Sequence, residues 1–190
     1  EAGKAITTGV RNVLIGGLAG DALTTGGYNT AIGYQALSTE DTHGYNTAIG
    51  YAALIAQDAG ADAYNTAVGY YAGVAITTGI RNTLLGGRAG DALTTGAYNV
   101  AIGYQALSSE DAHGRNVAIG YDALVQQDAG ADGYNCAVGF GAGGSVSTGI
   151  NNTILGCNTG DALTTGDNNI IIGYDAAASA VDVDNEITLG

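Results

Sequence analysis

The sequence predicts an all-β fold: a parallel β-solenoid, or β-roll, of about eleven coils, each 17–19 residues long. Three observations carry that expectation. Glycine recurs at positions 16, 33, 50, 69, 86, 103, 120, 139, 156, 173 and 190, and so short a period leaves room for one turn of backbone per repeat. The residues before each glycine alternate in character, as in Tyr28-Asn29-Thr30-Ala31-Ile32-Gly33, which is the period of a strand with one buried face. The rest of each coil is turn chemistry, such as Thr24-Thr25-Gly26 and Asp58-Ala59-Gly60-Ala61-Asp62.

Within the strand segment each position has its own identity. Directly before glycine stands a large aliphatic residue (Ile32, Ile49, Val68, Leu85, Ile102). Two places before it stands Ala in most coils, and three before it a β-branched or similar residue (Thr30, Thr47, Val100, Cys136). Four before it stands Asn in every coil but the last, where it is Glu186. On hydrophobicity the aliphatic and β-branched positions belong inside, and Asn and the small residue face outward or against a partner chain. On that assignment Ile102→Asp buries a charge and abolishes folding. After the glycine, Tyr in most coils followed two residues later by Ala (Ala36, Ala53, Ala72, Ala106, Ala123) reads as a second short strand with a small inner residue. Rungs about 4.8 Å apart make a rod on the order of 50 Å long.

A second level of repetition groups the coils. Residues 5–74 and 75–144 match at 52 of 70 positions without a gap, and a third copy runs over 145–190. The chain 1–190 is thus one repeat domain of three units. The repeat reaches both ends without obvious caps, as expected of a piece of a longer fibre.

Composition excludes several classes of function. The net charge is −13 with five basic residues, so phosphate neutralisation, and with it nucleic-acid binding, is not expected. Anionic membrane surfaces are disfavoured on the same ground, and no apolar run approaches the ~18 residues of a membrane span. Gly numbers 33 with no three-residue period and Pro is absent, which excludes collagen. Cys136 and Cys157 occupy different positions of the repeat, so a disulfide is not implied.

Few residues suggest chemistry. Gly139-Phe-Gly141-Ala-Gly-Gly144 fits a dinucleotide-binding spacing, but no helix pattern follows it. His43 and His113 lie in equivalent loops beside Glu40-Asp41 and Glu110-Asp111, and the loops 58–62 and 128–132 each present two aspartates, Asp58 with Asp62 and Asp128 with Asp132. These are candidate metal ligands, for calcium if carbonyls complete the shell; solvated turns are the expectation. No catalytic triad or nucleophile–base arrangement is supported by position. Neither a cofactor nor catalysis is expected.

The segment Asn151-Asn152-Thr153-Ile154-Leu155-Gly156 and the recurrent Tyr-Asn-Thr-Ala-Ile-Gly resemble the head repeat of YadA-type trimeric autotransporter adhesins, which runs Asn-Ser-Val-Ala-Ile-Gly. The coil here is 17 residues where that family's is usually about 14, so its loops are longer. The variant over 28–37, nearly repeated at 98–107, looks more like bacteriophage tail fibres, and the closing 184–190 resembles the stretch before their intramolecular chaperone domain. The resemblance implies a left-handed β-roll, a side-by-side homotrimer, and an extracellular place on a virion tail or bacterial surface. It also implies a host glycan or surface protein as partner. Two other readings stay open. One is an ice-binding β-solenoid using the Thr pairs 24–25, 94–95 and 164–165. The other is a polysaccharide-degrading tail spike, for which 17-residue coils leave little room for a carboxylate groove.

Overall fold

The computed structural model describes residues 1–190. The chain is all-β and contains no helix. Eleven three-residue strands form it: β1 (Val13–Ile15), β2 (Thr30–Ile32), β3 (Thr47–Ile49), β4 (Thr66–Val68), β5 (Thr83–Leu85), β6 (Val100–Ile102), β7 (Val117–Ile119), β8 (Cys136–Val138), β9 (Thr153–Leu155), β10 (Ile170–Ile172) and β11 (Ile187–Leu189). They make one sheet in chain order, every neighbour parallel, as at β2–β3, where Thr30 stands beside Thr47, Ala31 beside Ala48 and Ile32 beside Ile49. The register survives the 19-residue coils, since β3 and β4 still pair Thr47 with Thr66. The solenoid expected from the glycine spacing is therefore what forms.

The phase of the strands is the reverse of the sequence expectation. The middle residue points in: Ala31, Ala48, Ala67, Leu84, Ala101 and Ala118 are fully buried. The aliphatic residue after it and the β-branched one before it lie on the outer face, with Ile15, Leu85 and Leu155 about half exposed. Room decides this against hydrophobicity. A single coil encloses a narrow lumen, and its larger side chains enter from the turns instead, at Leu23, Leu37, Leu54, Ile76, Leu93 and Leu107. Volumes are traded across the lumen. Where the middle strand residue is Leu84, the residue opposite is Gly90, and a methyl group there would meet the side chains of Leu84 and Leu93. Where the middle residue is Ala101, Leu107 fills the space.

The asparagines are also inside. Asn29, Asn46, Asn65, Asn82, Asn99, Asn116, Asn135, Asn152 and Asn169 are all buried. Each side-chain oxygen accepts the backbone N–H of the next asparagine, as from Asn82 to Asn65 (2.8 Å) and from Asn99 to Asn82 (2.9 Å). In most coils the amide nitrogen donates to a carbonyl fourteen residues on, as from Asn82 to Gly96 (2.9 Å). Asn is selected because this slot needs a short side chain that both donates and accepts. At β11 the ladder ends on Glu186, whose N–H donates to Asn169 (2.8 Å).

No second strand forms after the glycine. The stretch 34–37 is a turn, held to neighbouring coils by bonds such as Gln35 N–H to Gly17 (2.9 Å) and Leu37 N–H to Ala53 (3.0 Å). Its inner residue is nevertheless small and buried, at Ala36, Ala53, Ala72, Ala106 and Ala123. Residues held at positive φ turn the chain here, such as Gln35 and Leu37, together with the glycine itself. At Gly103 φ is +137°, and a side chain would run into the carbonyl of Gly120 on the next rung. The glycine column is therefore a steric requirement of the stack.

Candidate functional site

Because Asn and the small residue point in, the residues between them point out. One broad face carries four parallel columns along the rod. The outermost is Tyr or Arg: Arg11, Tyr28, Tyr45, Tyr64, Arg81, Tyr98, Arg115, Tyr134. Next come the β-branched column and the aliphatic column of β1–β11. The fourth is Tyr34, Tyr51, Tyr70, then Tyr104, Tyr121 and Phe140 after a gap at Gly87. Rung spacing brings aromatic neighbours into stacking range. Ring centres of Tyr28 and Tyr45, and of Tyr45 and Tyr64, are 4.8 Å apart; Tyr121 and Phe140 are 5.0 Å apart. Arginine continues the column by lying over tyrosine, Arg11 at 5.0 Å from the centre of Tyr28 and Arg81 at 5.4 Å from that of Tyr98. Arg81 also donates to the Tyr98 hydroxyl (2.5 Å). Desolvation in the stack, then the neighbouring Tyr28 and Tyr64, push the Tyr45 phenol up.

The first threonine of each Thr pair uses its hydroxyl within the stack. Thr24 Oγ1 donates to the carbonyl of Asp41 (3.0 Å), Thr94 to that of Asp111 (2.9 Å) and Thr164 to that of Val181 (3.1 Å). These hydroxyls hold coil to coil.

The acidic loops form a second kind of site, twice. Glu40, Asp41, His43 and Asp58 each offer a ligand atom, all within 4.8 Å of one another; Glu110, Asp111, His113 and Asp128 repeat the arrangement. The strand register positions them. Asp58 lies within the 19-residue coil between Gly50 and Gly69, where Gln57 Nε2 and Asp58 N–H both donate to Thr77 O (3.0 and 2.9 Å). Glu40 and Glu110 are completely buried. They stand seven residues after the repeat glycine, where other coils carry Leu23, Ile76, Leu93 and Leu163.

Only half of each glutamate is satisfied. Glu40 Oε1 accepts the His43 N–H (3.1 Å) and Glu110 Oε1 that of His113 (3.0 Å). Oε2 of both is buried without a partner. Burial pushes both carboxyls up, against the lowering effect of the histidine N–H and imidazole. The Ala59 amide adds a small lowering at Glu40 without meeting hydrogen-bond geometry at Oε2. Each imidazole Nδ1 lies 3.6 Å from its glutamate Oε1. In the first loop Thr42 Oγ1 reaches His43 Nδ1 at 3.0 Å. In the second, Ala112 stands in place of that threonine and His113 Nδ1 is unpartnered.

Of the sequence candidates, His43 with Asp58 and His113 with Asp128 come together. Asp62 and Asp132 do not join them. Asp62 accepts the Gly44 N–H (3.1 Å), Asp132 accepts that of Gly114 (3.1 Å) and pairs with Arg115 (3.0 Å); both close the inserted loop. The glutamates beside the histidines were visible in the sequence as members of a solvated turn; what it did not show is their burial, although Leu23, Leu93 and Leu163 in the same register mark the position as core. Cys136 and Cys157 are free thiols. No family model matches the chain, and neither a curated protein nor a solved structure does.

Proposed function

We propose that the chain is a structural, non-catalytic segment of a trimeric extracellular fibre or adhesin, a left-handed roll in which the strand faces of three copies pack together. The loops then meet a host glycan or surface protein. One observation carries the reading: an aliphatic column runs the whole rod on the outer strand face, half exposed at Ile15, Leu85 and Leu155. Ordered apolar rows on a rigid sheet suit burial against a copy of themselves. The lumen is too narrow to hold them, so association is the remaining route to removing them from water. The resemblance of the repeat to YadA-type heads and phage tail fibres supports the same reading. Light scattering tests it: a mass near three times 18.8 kDa is expected, followed by binding of the assembly to host cells. A monomer that binds no cell surface contradicts it.

A second reading is favoured by the same face. Thr30, Thr47, Thr66 and Thr83 form a regular column on it, and ice-binding solenoids present such rows. It requires the face to be free. A folded monomer with thermal hysteresis and ice shaping supports it; absence of both removes it.

A further inference from the structure

We propose that each Glu-Asp-x-His loop, with the aspartate of the following coil, binds one divalent first-row transition ion, so that the chain carries two equivalent sites. The first is Glu40, His43 and Asp58 with Asp41; the second is Glu110, His113 and Asp128 with Asp111. The inference does not rest on the fibre reading.

The position of the glutamate is the starting point. A carboxylate occupies a fully buried core slot that leucine or isoleucine fills at Leu23, Ile76 and Leu93. Taking a carboxylate out of water is costly unless every lone pair is met. Where the same column carries Gln57, both ends of the amide are used: Nε2 donates to Thr77 O (3.0 Å), and Oε1 accepts from Asn65 Nδ2 (2.6 Å); at Gln127 Oε1 accepts from Asn135 Nδ2 (2.8 Å) and Nε2 is unpartnered. Glu40 and Glu110 have no such donor at Oε2. In the second loop the mismatch doubles, because His113 Nδ1 is buried and unpartnered 3.6 Å from Glu110 Oε1. Carboxylate oxygen and neutral imidazole nitrogen are both lone-pair donors. With the imidazole proton on Nε2 and the carboxyl ionised, the two face each other as lone-pair donors, an arrangement that a cation bridges.

The dimensions fit. Bonds of about 2.0 Å to a tetrahedral ion place ligand atoms about 3.3 Å apart. The imidazole–glutamate separation of 3.6 Å is already close to that. All four ligand atoms lie within 4.8 Å, and Asp41, Asp58, Asp111 and Asp128 are exposed side chains free to close the remainder. An imidazole with carboxylates suits zinc or manganese; calcium prefers an all-oxygen shell of six to eight ligands. The two 70-residue units differ at 18 positions, including Thr42 against Ala112 between the ligands, yet at none of these four. An ion bound there joins the loop of one coil to the next through a buried core residue, and so stiffens the rod.

The test is metal stoichiometry on the full chain. The protein is stripped with chelator, titrated calorimetrically with zinc chloride, and its metal content measured after desalting, with manganese and calcium run in parallel. Two zinc ions per chain and a higher melting midpoint are expected. Glu40→Gln should retain one ion, and Glu40→Gln with Glu110→Gln none, with an unchanged circular dichroism spectrum. Glutamine is accommodated because Gln57 and Gln127 occupy the same column. Should that double variant unfold, His43→Asn with His113→Asn alters half-exposed positions and should also bind none. Fewer than two ions on the wild type, two ions on a folded double variant, or calcium bound in preference to zinc overturns the proposal.

Discussion

Replacing one rung of the asparagine ladder should cost more than any surface change on this rod, and the cost should depend on which rung is removed. Asn82→Ala strands two buried groups: the Asn99 N–H, which donates to Asn82 Oδ1 (2.9 Å), and the Gly96 carbonyl, which accepts from Asn82 Nδ2 (2.9 Å). Each buried group left unpaired costs about 1–3 kcal/mol, so the loss should be about 2–6 kcal/mol. The alanine's own N–H keeps its bond to Asn65 Oδ1 (2.8 Å). Asn46→Ala is the internal comparison. Asn46 accepts the Asn65 N–H (3.1 Å), but its own Nδ2 has no partner. The inserted coil explains this, since the two extra residues displace the carbonyl that meets Nδ2 elsewhere. Asn46→Ala therefore strands one group and removes an orphan, and should cost about 1–3 kcal/mol at most. Guanidinium unfolding at one fixed protein concentration measures both, with an unchanged m-value as the check on comparability. Equal costs for the two variants, or a loss below about 0.5 kcal/mol at Asn82 as for an ordinary surface site, would refute the ladder as a source of stability.

Further outcomes follow from the same geometry. Ala101→Asp should prevent folding, because it places an unpaired charge in the fully buried strand position; circular dichroism reads it, and a folded soluble chain counts against the inward phase. Gly103→Ala combines a φ of +137° with a clash into the Gly120 carbonyl; the backbone strain alone costs about 1–3 kcal/mol, visible as a lower melting midpoint. Glu186 accepts from Ser179 N–H (3.1 Å), Ser179 Oγ (2.6 Å) and Thr188 Oγ1 (2.6 Å), which hold its carboxyl below the usual value of 4.5. A lowered folded-state value gives stability that is present above the unfolded value and lost as pH falls through the folded one. Wild type should therefore exceed Glu186→Gln in thermal midpoint near neutrality, and the gap should close in strong acid.

The rung count, the parallel register and the tolerated insertion were legible because each is set by one repeated residue, the glycine. The strand alternation was legible too, but not its phase. A hydrophobicity scale places Ile32 and Ile102 inside, whereas a lumen one coil wide admits Ala31 and Ala101. The sequence does hold the missing signal. Leu84 occurs with Gly90, and Ala101 with Leu107, a trade of volume that makes sense only if those positions share the interior. Asn was placed outside because its polarity was weighed without its partners; only the stacked backbone shows that each rung has an N–H, and most a carbonyl, to meet it. The acidic loops were found by residue type, but Asp62 and Asp132, grouped with them by sequence, stand apart from the Glu-Asp-His-Asp clusters. Their bonds to Gly44 and Gly114 depend on the path of the inserted coil.

The central claim is that the outer strand face, not the lumen, carries the aliphatic column and holds copies of the chain together. A triple variant, Leu85→Lys with Ile102→Asp and Ile119→Lys, tests it most directly. These residues are neighbours on three successive rungs. In a single chain on an outer face the alternating charges pair across strands; inside a lumen or an interface they are desolvated at high cost. Light scattering with circular dichroism on the same sample should show a folded β chain of 18.8 kDa beside a wild type about three times that mass. An unfolded variant would contradict the outward phase, and a folded variant with the mass of the wild type would contradict the face as the site of association.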